Sequence, residues 1–196
     1  MRTLAIAFLL LSLGAGAAPE YDVLITGARI VDGAGGPWHT GDIAIRGDAI
    51  AAVGHLPGAA ARVTIDARGL VAAPGFIDIH THARGNIGAV PMAENYVRQG
   101  VTTLMEGQDG GSPLPLGPYL EKVAAGRPAV NFGMFAGQGS IRQAVIGLED
   151  RKANPEEIAR MQELAREAMR QGAFGLSTGL FYVPGNYTPT EEVIAI

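Results

Sequence analysis

Two histidines spaced two residues apart, His80 and His82, are the residues of this chain whose spacing most clearly suggests chemistry. They end an apolar run that follows a break at Pro74–Gly75. If Phe76–His82 is one strand, its period of two directs both imidazoles to the same side. Two imidazoles at the C-terminal end of a barrel strand can supply half of a site for zinc or another divalent metal ion. The alternative is a pair of hydrogen-bonded core histidines.

A second candidate segment, Glu106–Ser112, carries two carboxylates within four residues, Glu106 and Asp109. Its glycines allow the backbone to approach a ligand closely. The alternative is a glycine-rich turn with solvated acids. Because the histidine pair ends one strand and these acids follow the next, we favour metal ligation by Asp109 or Glu106. The chain has no cysteine, so histidine and carboxylate must hold any metal.

The elements that must position these residues alternate between strand and helix after Gly75, which is typical of a parallel α/β sheet. Four such units are half of a (β/α)8 barrel, which usually takes about 250 residues. We therefore expect residues 74–196 to be the first four units of a TIM barrel in a longer protein. The predicted strands are Phe76–His82, Val101–Glu106, Ala129–Phe135 and Ala173–Ser177. The predicted helices are Met92–Gln99, Tyr119–Ala125, one from Asn154 to Gly172 and one opened by Thr188.

Residues 18–73 alternate short β-type runs with glycine turns, which predicts a small antiparallel sheet or a β-sandwich portion. One such turn, Gly27, is expected to separate a strand over Tyr21–Thr26 from another over Ala28–Val31.

Met1–Ala17 has the pattern of a signal peptide: Arg2, an apolar core, and small residues at Ala15–Ala17. That core is too short to span a bilayer, so we expect an exported protein, periplasmic or secreted, with no membrane segment after cleavage. The formal charge of −4 and the pI near 5.5 give no basic surface for nucleic acid.

Three longer motifs resemble those of the N-acyl-D-amino-acid deacylases (D-aminoacylases) of the amidohydrolase superfamily. They are Gly100–Ser112, Gly137–Arg142 and Gly175–Gly185. The resemblance runs from about Tyr21 to Ile196. It implies a metal-dependent hydrolase acting on a small-molecule N-acyl-D-amino acid or related D-peptide. In that family a cysteine after strand two binds the metal, and Asp109 occupies that position here. The family's Gly-His-Gly stretch reads Gly137–Gly139, with Gln138 between the glycines, which leaves open whether one or two metals bind.

The resemblance also implies roles in substrate binding. Tyr182 is expected to hydrogen-bond the substrate carboxylate, and Arg142 to attract the same carboxylate or to form a structural salt bridge. The family's general base and remaining metal histidines lie on later strands, so residues 1–196 alone should be inactive.

Alternatives within and outside the superfamily remain. Hydantoinases and dihydroorotases use a carboxylated lysine on strand four, and residues 173–178 contain no lysine. A dipeptidase and a catalytically inactive exported β-domain binding protein are further alternatives. The sequence does not determine the acyl group, the side chain, the stereochemistry or the oligomeric state.

Overall fold

The computed structural model describes residues 19–196, so the predicted signal peptide, Met1–Ala17, lies outside the described residues. The chain divides into two compact units, one ending at Pro74 and one beginning at Gly75. Within residues 19–196, none of the helices has the length and hydropathy required to cross a membrane.

The first unit is a five-stranded mixed sheet. Its strand order is β3-β2-β1-β4, and β5 pairs with the remaining part of β1. The pairs β1–β2 and β2–β3 are antiparallel, whereas β4 and β5 run parallel to β1. The sheet is therefore mixed, which contradicts the antiparallel sheet that was one of the two predicted alternatives. The strands are β1 (Tyr21–Ile30), β2 (His39–Arg46), β3 (Ala49–Gly54), β4 (Ala61–Asp66) and β5 (Val71–Ala72).

The predicted break at Gly27 is also wrong, because β1 runs through it. The register with β2 shifts between Ile25 and Ala28, so the glycine forms a bulge inside one strand. Gly27 has a φ of 67°, and its amide donates to the Asp42 carboxylate over 2.9 Å. The amides of Leu56 and Gly27 hold the pKa of Asp42 below its usual range. A positive φ is thus accommodated within the strand rather than ending it.

The second unit contains two sheets, of three and two strands, and the strands within each sheet are parallel. β6, β7 and β8 pair in that order, and β9 pairs with β10. β7 has the predicted bounds, whereas the other three predicted strands are shorter in the structure. The strands are β6 (Phe76–Asp78), β7 (Val101–Glu106), β8 (Asn131–Met134), β9 (Ala136–Gly137) and β10 (Leu176–Ser177).

The second unit also contains five α-helices. The main core consists of buried residues from α2, α3, α4 and the strands beside them. Helix α3 was not predicted, and α1 is shorter than expected. The helices are α1 (Glu94–Val97), α2 (Leu116–Ala125), α3 (Gln138–Ile146), α4 (Pro155–Arg170) and α5 (Thr190–Ala195).

Helix α4 begins with the predicted capping box. The Asn154 side chain accepts from the Glu157 amide over 2.8 Å, and the Glu157 carboxylate accepts from the Asn154 amide over 2.9 Å. Arg151 and the Asn154 amide lower the pKa of Glu157 to about 2. The carboxylate therefore stays charged at neutral pH. Its contribution to stability is complete above its usual pKa of 4.5 and is lost progressively as the pH falls from there through about 2.

Replacing Asn154 with alanine is expected to lower the free energy of unfolding of the full-length protein by about 1 kcal/mol, because the helix loses its N-cap acceptor. Urea denaturation measures the effect. Asn95→Ala is the control, because that exposed side chain makes no hydrogen bond within residues 19–196. Equal losses in both variants would contradict the capping role.

Candidate metal centre

The two histidines lie beyond the end of β6, not within it. The Asp78 side chain accepts from the His80 amide over 3.1 Å, a local turn that ends the strand. The chain then returns to β7 through Thr81, whose amide donates to the Met105 carbonyl over 3.2 Å. The expectation of a continuous strand through His82 was therefore wrong, although both imidazoles still reach the same place.

The acidic loop, Gly107–Ser112, follows β7 and turns sharply at Asp109. Asp109 has a φ of 59° and Gly110 a φ of 72°, two consecutive left-handed residues. Aspartate tolerates this region better than most residues with a side chain. Gly107, with a φ of 89°, approaches the backbone of Phe135 so closely that a Cβ there would lie 2.2 Å from its carbonyl oxygen. The loop can therefore bring Asp109 back toward the histidines.

His80, His82 and Asp109 converge. Their candidate ligand atoms all lie within 4.8 Å of one another, and no other group of three such residues is found among residues 19–196. The Asp109 Oδ2 atom lies 3.6 Å from His80 Nε2 and 3.4 Å from His82 Nε2. All three side chains remain partly exposed, so a ligand can reach them.

This geometry fits a divalent metal ion. Two ligand atoms each about 2.1 Å from a tetrahedral ion lie roughly 3.4 Å apart, close to the measured separations of 3.6 and 3.4 Å. Two imidazole nitrogens and one carboxylate oxygen form a donor set that suits zinc, and a carboxylate in place of a thiolate lets manganese or cobalt compete better than usual. These three residues account for only part of a four-coordinate shell, which leaves room for further ligands.

Glu106, the competing candidate, lies elsewhere. It is 1% exposed, and its Oε1 atom lies 2.8 Å from the Thr81 hydroxyl. It does not belong to the group formed by the histidines and Asp109. We therefore carry Asp109, and not Glu106, into the proposed metal site.

Two side chains that were not among the predicted site residues join the histidine segment, Ile79–Arg84, to the acidic loop by hydrogen bonds. Gln108 donates to the Ile79 carbonyl over 2.5 Å, directly before His80. Arg84 donates to the Gly111 carbonyl, and Tyr119 donates to the Arg84 carbonyl over 2.8 Å. Burial, and then the charge of Glu106, raise the pKa of Tyr119. In the sequence, Gln108 and Arg84 are distinguished only by their positions close to Asp109 and His82.

Two clefts open beside the cluster. His80 and Asp109 line one of about 230 Å³, together with Phe135, Leu176 and Thr178. His82 lines another of about 220 Å³, together with Asn86 and Tyr96 among others. The three side chains therefore lie where small-molecule groups can approach from two directions.

Known proteins resemble this chain in sequence and in fold. The chain is 38% identical to the D-aminoacylase of Alcaligenes xylosoxydans xylosoxydans, over 90% of the chain and 41% of that enzyme. It is 39% identical to the N-acyl-D-aspartate deacylase of the same organism, over 92% of the chain and 41% of that enzyme. A structure of the N-acyl-D-glutamate deacylase from Bordetella bronchiseptica, complexed with zinc and a phosphonate inhibitor, superposes with a TM-score of 0.82 at 32% identity. That superposition covers 89% of this chain and 42% of the other. The chain is a homologue of the D-aminoacylases.

No protein-family model matches the chain. It spans about two fifths of the length of the D-aminoacylase and the related deacylases that it matches.

The two substrate-binding residues implied by the D-aminoacylase resemblance differ in their surroundings. Tyr182 is 52% exposed, its ring packs edge-on against Phe181, and its hydroxyl makes no hydrogen bond within residues 19–196. Arg142 is 0% exposed, with Nε 3.6 Å from a Glu192 oxygen. A guanidinium buried beside Glu192 favours the salt bridge of our alternative interpretation over contact with a substrate. We carry only Tyr182 into the proposed substrate site.

Proposed function

We propose that the full-length protein is a metal-dependent hydrolase that cleaves the amide bond of N-acyl-D-amino acids or related D-peptides. The observation that carries this proposal is the convergence of His80, His82 and Asp109 at an open cleft, in a chain homologous to D-aminoacylases.

His80, His82 and Asp109 would hold zinc or another divalent ion. When bound at such a site, the ion lowers the pKa of a coordinated water and polarises a carbonyl oxygen. The three side chains fix the position of that chemistry at the ends of β6 and β7. The adjoining clefts would seat the two parts of an amide substrate, with Phe135 and Leu176 giving one of them an apolar wall.

The proposal extends to the domain organisation and the export of the whole protein. The parallel strands of the second unit support assignment of residues 74–196 to the first half of a TIM barrel, with a β-sandwich portion at residues 18–73. The leader pattern of Met1–Ala17 supports export to the periplasm or beyond, where the substrate would be a small molecule.

Tyr182→Phe tests the proposed substrate contact. The change keeps the ring and removes a hydroxyl that makes no hydrogen bond to residues 19–196. We expect a higher KM for N-acyl-D-amino acids with little change in stability, because the lost interaction is made with bound substrate. Steady-state kinetics on the full-length protein measure it, with Tyr187→Phe as the matched control. Unchanged kinetics would remove Tyr182 from the site.

The deciding experiment compares matched N-acetyl-D- and N-acetyl-L-amino acids, dipeptides and hydantoins as substrates of the full-length protein. We expect turnover of the D-series, loss of activity with a chelator, and recovery when zinc, cobalt or manganese is returned. A preference for hydantoins would favour the cyclic-amidase alternative. Turnover that a chelator does not affect would reject the metal-dependent mechanism.

A further inference from the structure

One hydroxyl from across the unit contacts the acidic loop on both sides of Asp109. Ser177, in β10, donates to the carbonyl of Gly107. The same hydroxyl oxygen accepts from the amide of Gly110 over 3.3 Å. These two glycines flank Gln108 and Asp109, so Ser177 closes the turn that carries the Asp109 carboxylate.

The turn needs such a fixed point. Asp109 and Gly110 both have positive φ, with values of 59° and 72°, and a non-glycine residue in this region is held there by its surroundings. Without the hydroxyl, the Gly107 carbonyl and the Gly110 amide would each lose the Ser177 contact. The turn would then have access to other backbone conformations that aim Asp109 away from the histidines.

The backbone beside Ser177 is in direct contact with the same turn. A Cβ at Gly179 would lie 2.0 Å from the Asp109 carbonyl oxygen, and one at Gly137 would lie 2.4 Å from the Gly110 carbonyl oxygen. Ser177 pairs with Gly137 in the β9–β10 ladder. The Ser177 hydroxyl is therefore carried by a paired strand residue whose neighbours pack against the turn, so its position is well defined.

We propose that Ser177 is a positioning residue for Asp109: it sets the carboxylate at the distance from His80 and His82 that a divalent ion requires. The inference rests on the proposed function and adds to it a residue that touches neither the substrate nor the ion. Partners of metal ligands typically change metal affinity by about 10- to 100-fold when they are removed, and we expect an effect of that order here.

The test measures the affinity of the full-length, metal-free protein for Co²⁺, followed by the visible absorption of the bound ion. The variants are Ser177→Thr and Ser177→Val, because the threonine and valine side chains have nearly the same shape and only threonine carries a hydroxyl. We expect the threonine variant to bind nearly as tightly as the original, and the valine variant to bind about 10- to 100-fold more weakly with an altered spectrum. Ser112→Ala is the control, because its hydroxyl accepts from the Gly137 amide over 2.9 Å and touches neither flanking glycine of Asp109.

Equal Co²⁺ affinity in the threonine and valine variants would overturn the positioning role. The same loss in Ser112→Ala would also overturn it, since any loosening of this region would then suffice. An original protein that binds no divalent ion would instead reject the proposed function, and the role of Ser177 with it. A failure of the inference alone is thus distinguishable: the original protein binds Co²⁺, and the hydroxyl makes no difference.

Discussion

Replacing His82 with alanine in the full-length protein is expected to lower its affinity for a divalent ion by more than about a hundredfold, since a lost ligand should cost at least as much as a lost supporting partner. Hydrolysis of N-acyl-D-amino acids should fall to background in the same preparation. His82 Nε2 lies 3.4 Å from the Asp109 oxygen, and its removal leaves His80 and Asp109 as the only members of the cluster within the described chain. Metal content after dialysis and isothermal titration measure the loss.

His39→Ala is the matched control for this change. His39 is exposed, lies at the start of β2 in the first unit, and belongs to no group of potential metal ligands within residues 19–196. Its replacement should leave metal content and activity unchanged. Full metal stoichiometry in the His82 variant, or an equal loss in both variants, would reject the assignment of the site.

Asp109→Asn should have the second large effect, a loss of divalent-ion affinity by at least about tenfold. Asparagine has nearly the same shape and also tolerates the left-handed backbone at this position, so the fold of the loop should survive. What changes is the charge and the donor strength of the oxygen that faces both histidines. Thermal denaturation of the metal-free protein checks that the fold is intact.

Glu106→Gln separates the two acidic candidates. Glu106 is buried against the Thr81 hydroxyl, so the amide variant should change stability more than metal affinity. A large affinity loss in Glu106→Gln with none in Asp109→Asn would reverse our choice of ligand. Asp109→Cys extends the comparison, because a thiolate should shift preference from manganese and cobalt toward zinc.

Local signals were sufficient for several elements of this fold. Val101–Glu106 was predicted as a strand from its β-type run after Gly100, and it has those bounds in the structure. The cap at Asn154 and the glutamate three residues later marked the start of α4. In both cases the deciding interactions lie within a few residues in the sequence. The His80–His82 spacing was informative for the same reason.

Other features depend on contacts between distant residues and could not be predicted. The turn at Asp78, closed by a side-chain hydrogen bond, ends β6 four residues before the predicted end of the strand. Helix α3 contains Gly139, a poor helix former, yet the Ser140 amide donates to the Gly110 carbonyl over 3.0 Å and docks the helix there. The choice between Glu106 and Asp109 likewise depends on where the acidic loop folds back, which no spacing in the sequence determines.

The links made by Gln108 and Arg84 bear on how the protein would exchange its ion. Because they tie the histidine segment to the acidic loop within the folded chain, the conformational entropy of gathering the ligands is lost at folding and not at metal uptake. Metal-free and metal-loaded protein should therefore differ little in hydrogen exchange across Ile79–Gly111. Loss of the ion should leave a folded, refillable protein whose melting temperature rises with free metal by simple mass action, unlike small zinc domains that unfold when stripped.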